Sequence, residues 1–255
     1  MLKILFSDID GTLIPRPGVL SDPYQGVIAP DSIVGAEFSL RLNTGRPFDE
    51  CRVLIGKLNI TEPSIFDGGS AILDPRTGSA LAVRYLDPAA INLIHAILHT
   101  TCHSAKYTWN GRLIQGWPPD NQRHRVTSLL IHSVESDATK VLKLDPHCSI
   151  EIVRLEQQSV IVARPHGITK GTLMEQALAC TRGRTTGFVV GAGDSAADVP
   201  FLKLCDQPIV VDYGEQLSSA LSGGPLPRIL KPANGSRQCS ELLRCAAELQ
   251  RPESK

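Results

Sequence analysis

Hydrophobic positions open the chain with a short run, Leu2-Lys3-Ile4-Leu5-Phe6, that stops at Ser7-Asp8-Ile9-Asp10-Gly11. A brief apolar run ended by a breaker predicts a buried strand. Phe38-Ser39-Leu40-Arg41-Leu42 alternates apolar and polar residues and predicts a second strand. Phe48, Val53, Leu54 and Leu58 give residues 48–58 an apolar face at helical spacing. Ser64-Ile65-Phe66 reads as a third strand, ending in Asp67-Gly68-Gly69. Residues 14–35 carry no periodicity. Pro15, Pro17, Pro23 and Pro30 break any helix there and predict a compact loop over the first carboxylates.

The pattern then changes. Residues 71–73 and 80–83 flank a turn and predict a hairpin, and a helix follows over 88–100 with Pro88 in its first turn. Residues 105–109 and 112–115 flank Asn110-Gly111, a two-residue hairpin turn. A strand at 126–133, a helix at 136–144 and a hairpin of 149–155 with 159–163 complete a small module. Its order, written α-β-β-α-β-β, is that of an α+β unit and not of a continuing parallel sheet. After Pro165 the βα rhythm returns. Thr169 is placed to cap a helix over 170–180, and a strand at 187–190 precedes a helix reaching Leu204. A strand at 208–211, a Gly/Pro-rich stretch at 223–227 and a helix at 239–249 close the chain. The expected fold class is α/β: a parallel-sheet core in two parts, 1–71 and 165–255, interrupted by an inserted α+β module at 72–164.

Charge and composition exclude more than they assign. The 255 residues carry 26 Lys and Arg against 26 Asp and Glu, so no basic field argues for nucleic acid. No apolar run approaches the ~20 residues that span a bilayer, and the N-terminal run is too short for a signal peptide. The seven cysteines form no C-x-x-C pair, which fits free thiols in a reducing, cytoplasmic setting. A monomer or small homo-oligomer is expected, with a small-molecule partner and neither nucleic acid nor membrane.

The chemistry lies where strands end. Alternate residues of an extended chain point the same way, so Asp8 and Asp10 can share one side at the carboxyl end of a buried strand. Such oxygens suit a hard cation such as Mg²⁺. A calcium loop would need different residues at Thr12, Leu13 and Val19, although the string by itself also fits an ordinary polar strand end. Thr44, Lys170 and the Asp194/Asp198 pair sit at equivalent places. Together they supply what phosphoryl transfer requires. Asp8, Asp194 and the Asp10 main chain can hold Mg²⁺, and Asp8 can attack phosphorus. Thr44 offers a hydroxyl and backbone N–H groups to the phosphate, and Lys170 a positive charge. Asp10 can protonate the leaving alkoxide and then deprotonate water.

These motifs resemble the haloacid dehalogenase (HAD) superfamily of phosphatases. D-x-D-G-T-L stands at Asp8 to Leu13, Thr-Gly-Arg at Thr44-Gly45-Arg46, the lysine motif at Lys170, and the acidic motif at Gly193-Asp194-Ser195-x-x-Asp198. The inserted module looks like the type IIB cap of Cof-like, sucrose-phosphate and mannosyl-3-phosphoglycerate phosphatases. The resemblance implies a Rossmann-like HAD core and a set of roles. Asp8 is then the nucleophile, forming an aspartyl phosphate, and Asp10 the acid/base. Thr44, Gly45 and Lys170 bind phosphate; Asp8, Asp10 and Asp194 hold Mg²⁺; Ser195 and Asp198 support a metal-bound water or Lys170. Asp10 separates this chain from family ATPases, which carry Thr there, and from dehalogenases, which lack that aspartate.

The resemblance further implies a phosphatase acting on a small phosphorylated metabolite, such as a sugar phosphate or sugar phosphoglycerate. The alternatives are a phosphomutase and a non-catalytic phosphate-binding homologue. The chain departs from the family pattern at Ala197, where Asn is common, at Asp67, where Asn is usual, and over 14–35, which lack the usual helix. Arg46 is expected at the substrate rim, with Asp67 facing a sugar hydroxyl there. His95, His99 and His103, the basic string Arg123-His124-Arg125, and Trp109 with Trp117 are read as surface or packing features, with metal, anion or sugar contact as minority readings.

Overall fold

The structure is a computed structural model that describes residues 3–16, 38–133, 140–144, 147–154, 159–180, 187–214, 217–233 and 236–249. The first part of the chain forms β1 (Lys3–Ser7), β2 (Phe38–Leu42), α1 (Phe48–Lys57), β3 (Ser64–Phe66), β4 (Ala71–Leu73) and β5 (Ala80–Val83). α1 has Asp49 and Glu50 in its first turn and Lys57 in its last, the charge order that complements the helix dipole. Its buried face is Phe48, Cys51, Leu54 and Ile55, while Val53, expected on that face, is exposed. Most of the loop expected over 14–35 lies outside the described residues.

The inserted module forms α2 (Pro88–Leu98), β6 (Cys102–Trp109), β7 (Arg112–Gln115), β8 (Val126–Ser133), β9 (Cys148–Arg154) and β10 (Ser159–Pro165). Asp87 caps α2, its carboxylate accepting from the Ala89 N–H at 2.8 Å. Asn110 and Gly111 both have positive φ, at 50° and 78°, which folds β6 back onto β7. β7 is the second arm of the hairpin expected at 112–115, so three strands stand between α2 and the expected second helix, and the sheet runs β7-β6-β8-β10-β9. Of the helix expected at 136–144, residues 136–139 lie outside the described residues and Leu142–Leu144 form a 3₁₀ turn. The hairpin of β4 and β5, the first stretch of the expected insertion, pairs with β3 and not with the module's sheet.

The second part of the core forms α3 (Met174–Ala179), β11 (Val189–Gly193), α4 (Val199–Leu202), β12 (Gln207–Val211), α5 (Leu217–Ala220), β13 (Arg228–Leu230) and α6 (Ser236–Glu248). The helix expected from 170 starts only at Met174, and Thr169 does not cap it. The Thr169 N–H donates to the Thr172 hydroxyl at 2.9 Å instead. Tertiary contact holds this turn open: a Cβ on Gly171 would lie 2.8 Å from the Pro200 carbonyl oxygen, and one on Gly69 would lie 1.9 Å from the Thr169 carbonyl oxygen.

The core sheet is parallel, in the order β13-β12-β11-β1-β2. An isolated bridge from Asn43 to Ile65 joins β3 beside β2. β1 alternates between the two apolar layers: Leu5 packs with Leu40, Leu54 and Leu242 on one face, Ile4 and Phe6 with Met174 and Phe201 on the other. A strand covered on both faces reads as a continuous apolar run, which is why β1 was legible. A third apolar cluster, with Ile94, Leu129 and Ile161, belongs to the inserted module.

Candidate active site

β1 lies between β11 and β2 in the parallel sheet, so the ends of those strands flank its own. The Asp8 N–H donates to the Ala192 carbonyl at 2.9 Å, which extends that pairing one residue beyond the strand. Gly11 then turns the chain at φ +79°. A Cβ there would stand 2.0 Å from Asp194 Oδ2, so the turn demands glycine both for its conformation and for the carboxylate beside it.

Lys170 is the buried hub. Its Nζ lies 2.7 Å from Asp8 Oδ1 and 2.6 Å from Asp198 Oδ1. Asp198 Oδ2 accepts from the N–H groups of Asp194 (3.1 Å) and Ser195 (3.0 Å) and from the Ser195 hydroxyl (2.9 Å). Asp194 Oδ1 accepts from the Thr12 hydroxyl at 3.0 Å, and its Oδ2 from Arg16 Nε at 3.0 Å. Tyr213 lies beneath the Arg16 guanidinium, 4.3 Å from ring centre to Cζ.

Burial pushes the Asp8 carboxyl up to about 7, against the opposing charge of Lys170 and with repulsion from Asp198. For Lys170, burial works against the charge, but Asp8 and Asp198 outweigh it and hold the ammonium above the ordinary lysine range. Burial, then repulsion from Asp198, raises Asp194, with Arg16 and Thr12 opposing. Carboxylates crowded in this way are poised for more positive charge than the side chains alone provide.

One oxygen from each of Asp8, Asp194 and Asp198 lies within 4.8 Å of the others, and all three residues are buried. Carboxylate oxygens converging so closely fit a hard divalent cation. The expected metal set was Asp8, Asp194 and the Asp10 main chain, with Asp198 on a metal-bound water or Lys170. The Asp198 carboxylate holds Lys170, and the Asp10 carboxylate forms a two-pronged pair with Arg46, at 2.7 Å to Nε and 2.5 Å to Nη2.

Thr44 is fully buried. Its hydroxyl oxygen accepts from the Arg46 N–H at 3.1 Å and its own N–H donates to the Ile65 carbonyl at 3.0 Å. The backbone donor expected from Thr44 is therefore used within the fold. Gly45 is the part of that motif that lines the cavity, of about 570 Å³, over Asp8, Asp10 and Lys170.

Asp67 requires correction. It is buried, at φ +52°, and accepts from the hydroxyls of Thr127 (2.8 Å) and Ser128 (3.2 Å) on β8. It faces the inserted module's own strand and not a substrate hydroxyl. Its carboxyl is raised by burial, with Thr127, Ser128 and Arg164 opposing.

Among the described residues, the histidines of α2 form no part of the metal-competent group. His95 packs edge-on to Trp117, with ring centres 4.7 Å apart. Arg123 is held by Asn92, by Asp120 at 3.0 Å and by the Pro118 carbonyl at 3.1 Å.

Four residues of the site went unread in the sequence: Arg16, Glu151, Arg164 and Gln238. Gln238 on α6 donates through Nε2 to the carbonyls of Gly11 (2.7 Å), Thr12 (3.0 Å) and Ile14 (3.2 Å), gripping the loop that follows Asp10. Neither a lone polar residue on a helix nor one basic residue between two prolines carries a local mark of such a role.

The family model for haloacid dehalogenase-like hydrolases matches residues 5–115, from β1 to the end of β7. A haloacid dehalogenase-like hydrolase from Bacteroides thetaiotaomicron superposes with a TM-score of 0.70 at 17% identity, covering 96% of this chain and 100% of that one. Residues 5–115 are thus similar to haloacid dehalogenase-like hydrolases. A HAD subclass IIB sugar phosphatase superposes on the chain with a TM-score of 0.62 at 15% identity, covering 90% and 94% of the two chains. A HAD-like hydrolase from B. subtilis gives 0.66 at 12%, covering 98% and 100%. No curated protein matches the sequence at a significant level. The chain thus combines a Rossmann-like parallel-sheet core with an inserted α+β module, and phosphatases are among the structures that share its fold.

Proposed function

We propose that this chain is a Mg²⁺-dependent phosphatase acting on the phosphate monoester of a small metabolite, a sugar phosphate or sugar phosphoglycerate, with the inserted module of α2 and β6–β10 as the cap over the core. The observation that carries the reading is Lys170 bridging Asp8 and Asp198 while Asp194 stands within the same acidic group.

Asp8, Asp194 and the Asp10 main chain would hold Mg²⁺, which would supply charge neutralisation for a phosphoryl group in transfer, while Asp198 holds Lys170. Asp8 attacks phosphorus through one carboxylate oxygen, and the bond from phosphorus to the leaving oxygen breaks. Asp10 gives its proton to that oxygen, so the alcohol departs neutral. Water then loses a proton to Asp10 and attacks the acyl phosphate, which restores Asp8 and releases inorganic phosphate. Lys170 opposes the burial that raises Asp8 and holds its carboxylate in place. The bidentate pair of Asp10 with Arg46 has to open before Asp10 can carry a proton.

The test is Mg²⁺-dependent phosphate release from p-nitrophenyl phosphate. Wild-type protein is expected to turn it over, and Asp8→Asn, which keeps the shape but not the nucleophile, to fall to background. No release by folded wild-type protein would overturn the reading.

A further inference from the structure

The cavity above the carboxylates reaches the cap, where its charged wall consists of Glu151 on β9 and Arg164 on β10. Glu151 stands opposite Val162 in the antiparallel pair, and Arg164 lies two residues further along β10 on the same face. The two side chains meet, with Arg164 Nη1 2.7 Å from Glu151 Oε2. Arg164 also crosses the seam to the core. A Cβ on Gly68 would lie 2.4 Å from its Nε, and one on Gly45 3.4 Å from its Nη2, so the guanidinium rests against the glycines that follow β3 and β2. The Arg164 Nε is buried and finds no hydrogen-bond partner there.

Charge accounting then limits what can occupy this end of the cavity. Lys170 is engaged by Asp8 and Asp198, Arg16 by Asp194, and Arg164 by Glu151, while Arg46, whose pair with Asp10 has to open, is not among the residues lining the cavity. The remaining wall includes Ile168, Thr169 and Pro200, which are uncharged. A leaving group bearing a second anion would meet the Glu151 carboxylate, and each of these cations already has an acidic partner. A neutral leaving group with adjacent hydroxyls would meet an acceptor and a donor held side by side, with apolar wall beside them.

We propose that Glu151 and Arg164 read the leaving group of the ester, selecting neutral polyhydroxylated alcohols and rejecting those that carry a carboxylate or second phosphate. This rests on the phosphatase reading above and chooses between its two substrate classes. Glu151 is the rejecting element, because like charge across a small cavity disfavours the wrong ligand. Arg164 is the donor, held in position by Glu151 and the two glycines.

The experiment compares kcat/KM for a hexose phosphate and a phosphoglycerate, as a ratio within each protein, so that losses common to both substrates cancel. Wild-type protein is expected to favour the hexose phosphate. Glu151→Gln, a change in a half-exposed side chain, is expected to narrow that preference by about tenfold or more, mainly through a lower KM for the phosphoglycerate. Arg164→Lys keeps the charge but loses the fork, and is expected to raise KM for the hexose phosphate more than it lowers kcat. An unchanged ratio in Glu151→Gln, or a wild-type preference for the phosphoglycerate, overturns the proposal while leaving the phosphatase reading intact. Absence of turnover on every ester, p-nitrophenyl phosphate included, overturns both.

Discussion

Asp67 shows how one carboxylate can be misassigned from its neighbours in sequence. It follows a core strand and precedes two glycines, as a rim residue would, yet it is buried against Thr127 and Ser128 of the cap. Its folded carboxyl is raised by burial, so the folded state holds a proton that the unfolded chain, at the ordinary aspartate value of ~3.9, has released. Stability therefore falls as pH rises from about 4 towards the folded value. Asp67→Asn removes that dependence, and Asn tolerates the positive φ. The thermal midpoint of Asp67→Asn relative to wild type is expected to move in the variant's favour as pH is raised from about 4 to 8. A difference that is flat, or that moves the other way, would show that Asp67 is not held in a raised state.

At the scale of elements, the reactive loop depends on a helix nearly the whole chain away. The amide of Gln238 on α6 satisfies carbonyls of Gly11, Thr12 and Ile14, and its Oε1 lies 3.3 Å from the Tyr213 hydroxyl. Tyr213 in turn supports Arg16 against Asp194. Gln238→Leu keeps the bulk but strands those carbonyls, and is expected to cost about 1–3 kcal/mol in denaturant unfolding. Phosphatase kcat should fall with it, because Asp8 and Asp10 lose the support behind their loop. The short helix α3 makes a related point. Its sequence reads as a longer helix from 170, but contacts of Gly69 with Thr169 and of Gly171 with Pro200 take the preceding residues for a loop that delivers Lys170. Local propensity lost to tertiary packing there, as it commonly does in short segments.

At the scale of the whole molecule, strands and loops distant in sequence bring Asp8, Asp194 and Asp198 into one buried group, with Lys170 and Arg16 as internal counter-ions. Binding a divalent cation to the folded state alone should stabilise it, by about 2.7 kcal/mol at a hundredfold excess over Kd. The thermal midpoint is expected to rise with added Mg²⁺ and fall back with a chelator, with the response lost in Asp194→Asn. A midpoint indifferent to Mg²⁺ in wild type would remove the metal from the mechanism. The sequence by itself determined the α/β rhythm, the interruption by an α+β module and most of the chemical positions. Buried parallel strands must be apolar runs, turns beside carboxylates must be glycine, and both marks are local. Only the tertiary structure decided that Asp198 takes Lys170, where Asp67 points, and that Gln238, Arg16, Glu151 and Arg164 belong to the site. Those are relations between side chains many residues apart, set by strand register and by the seating of cap on core, and no periodicity along the chain encodes them.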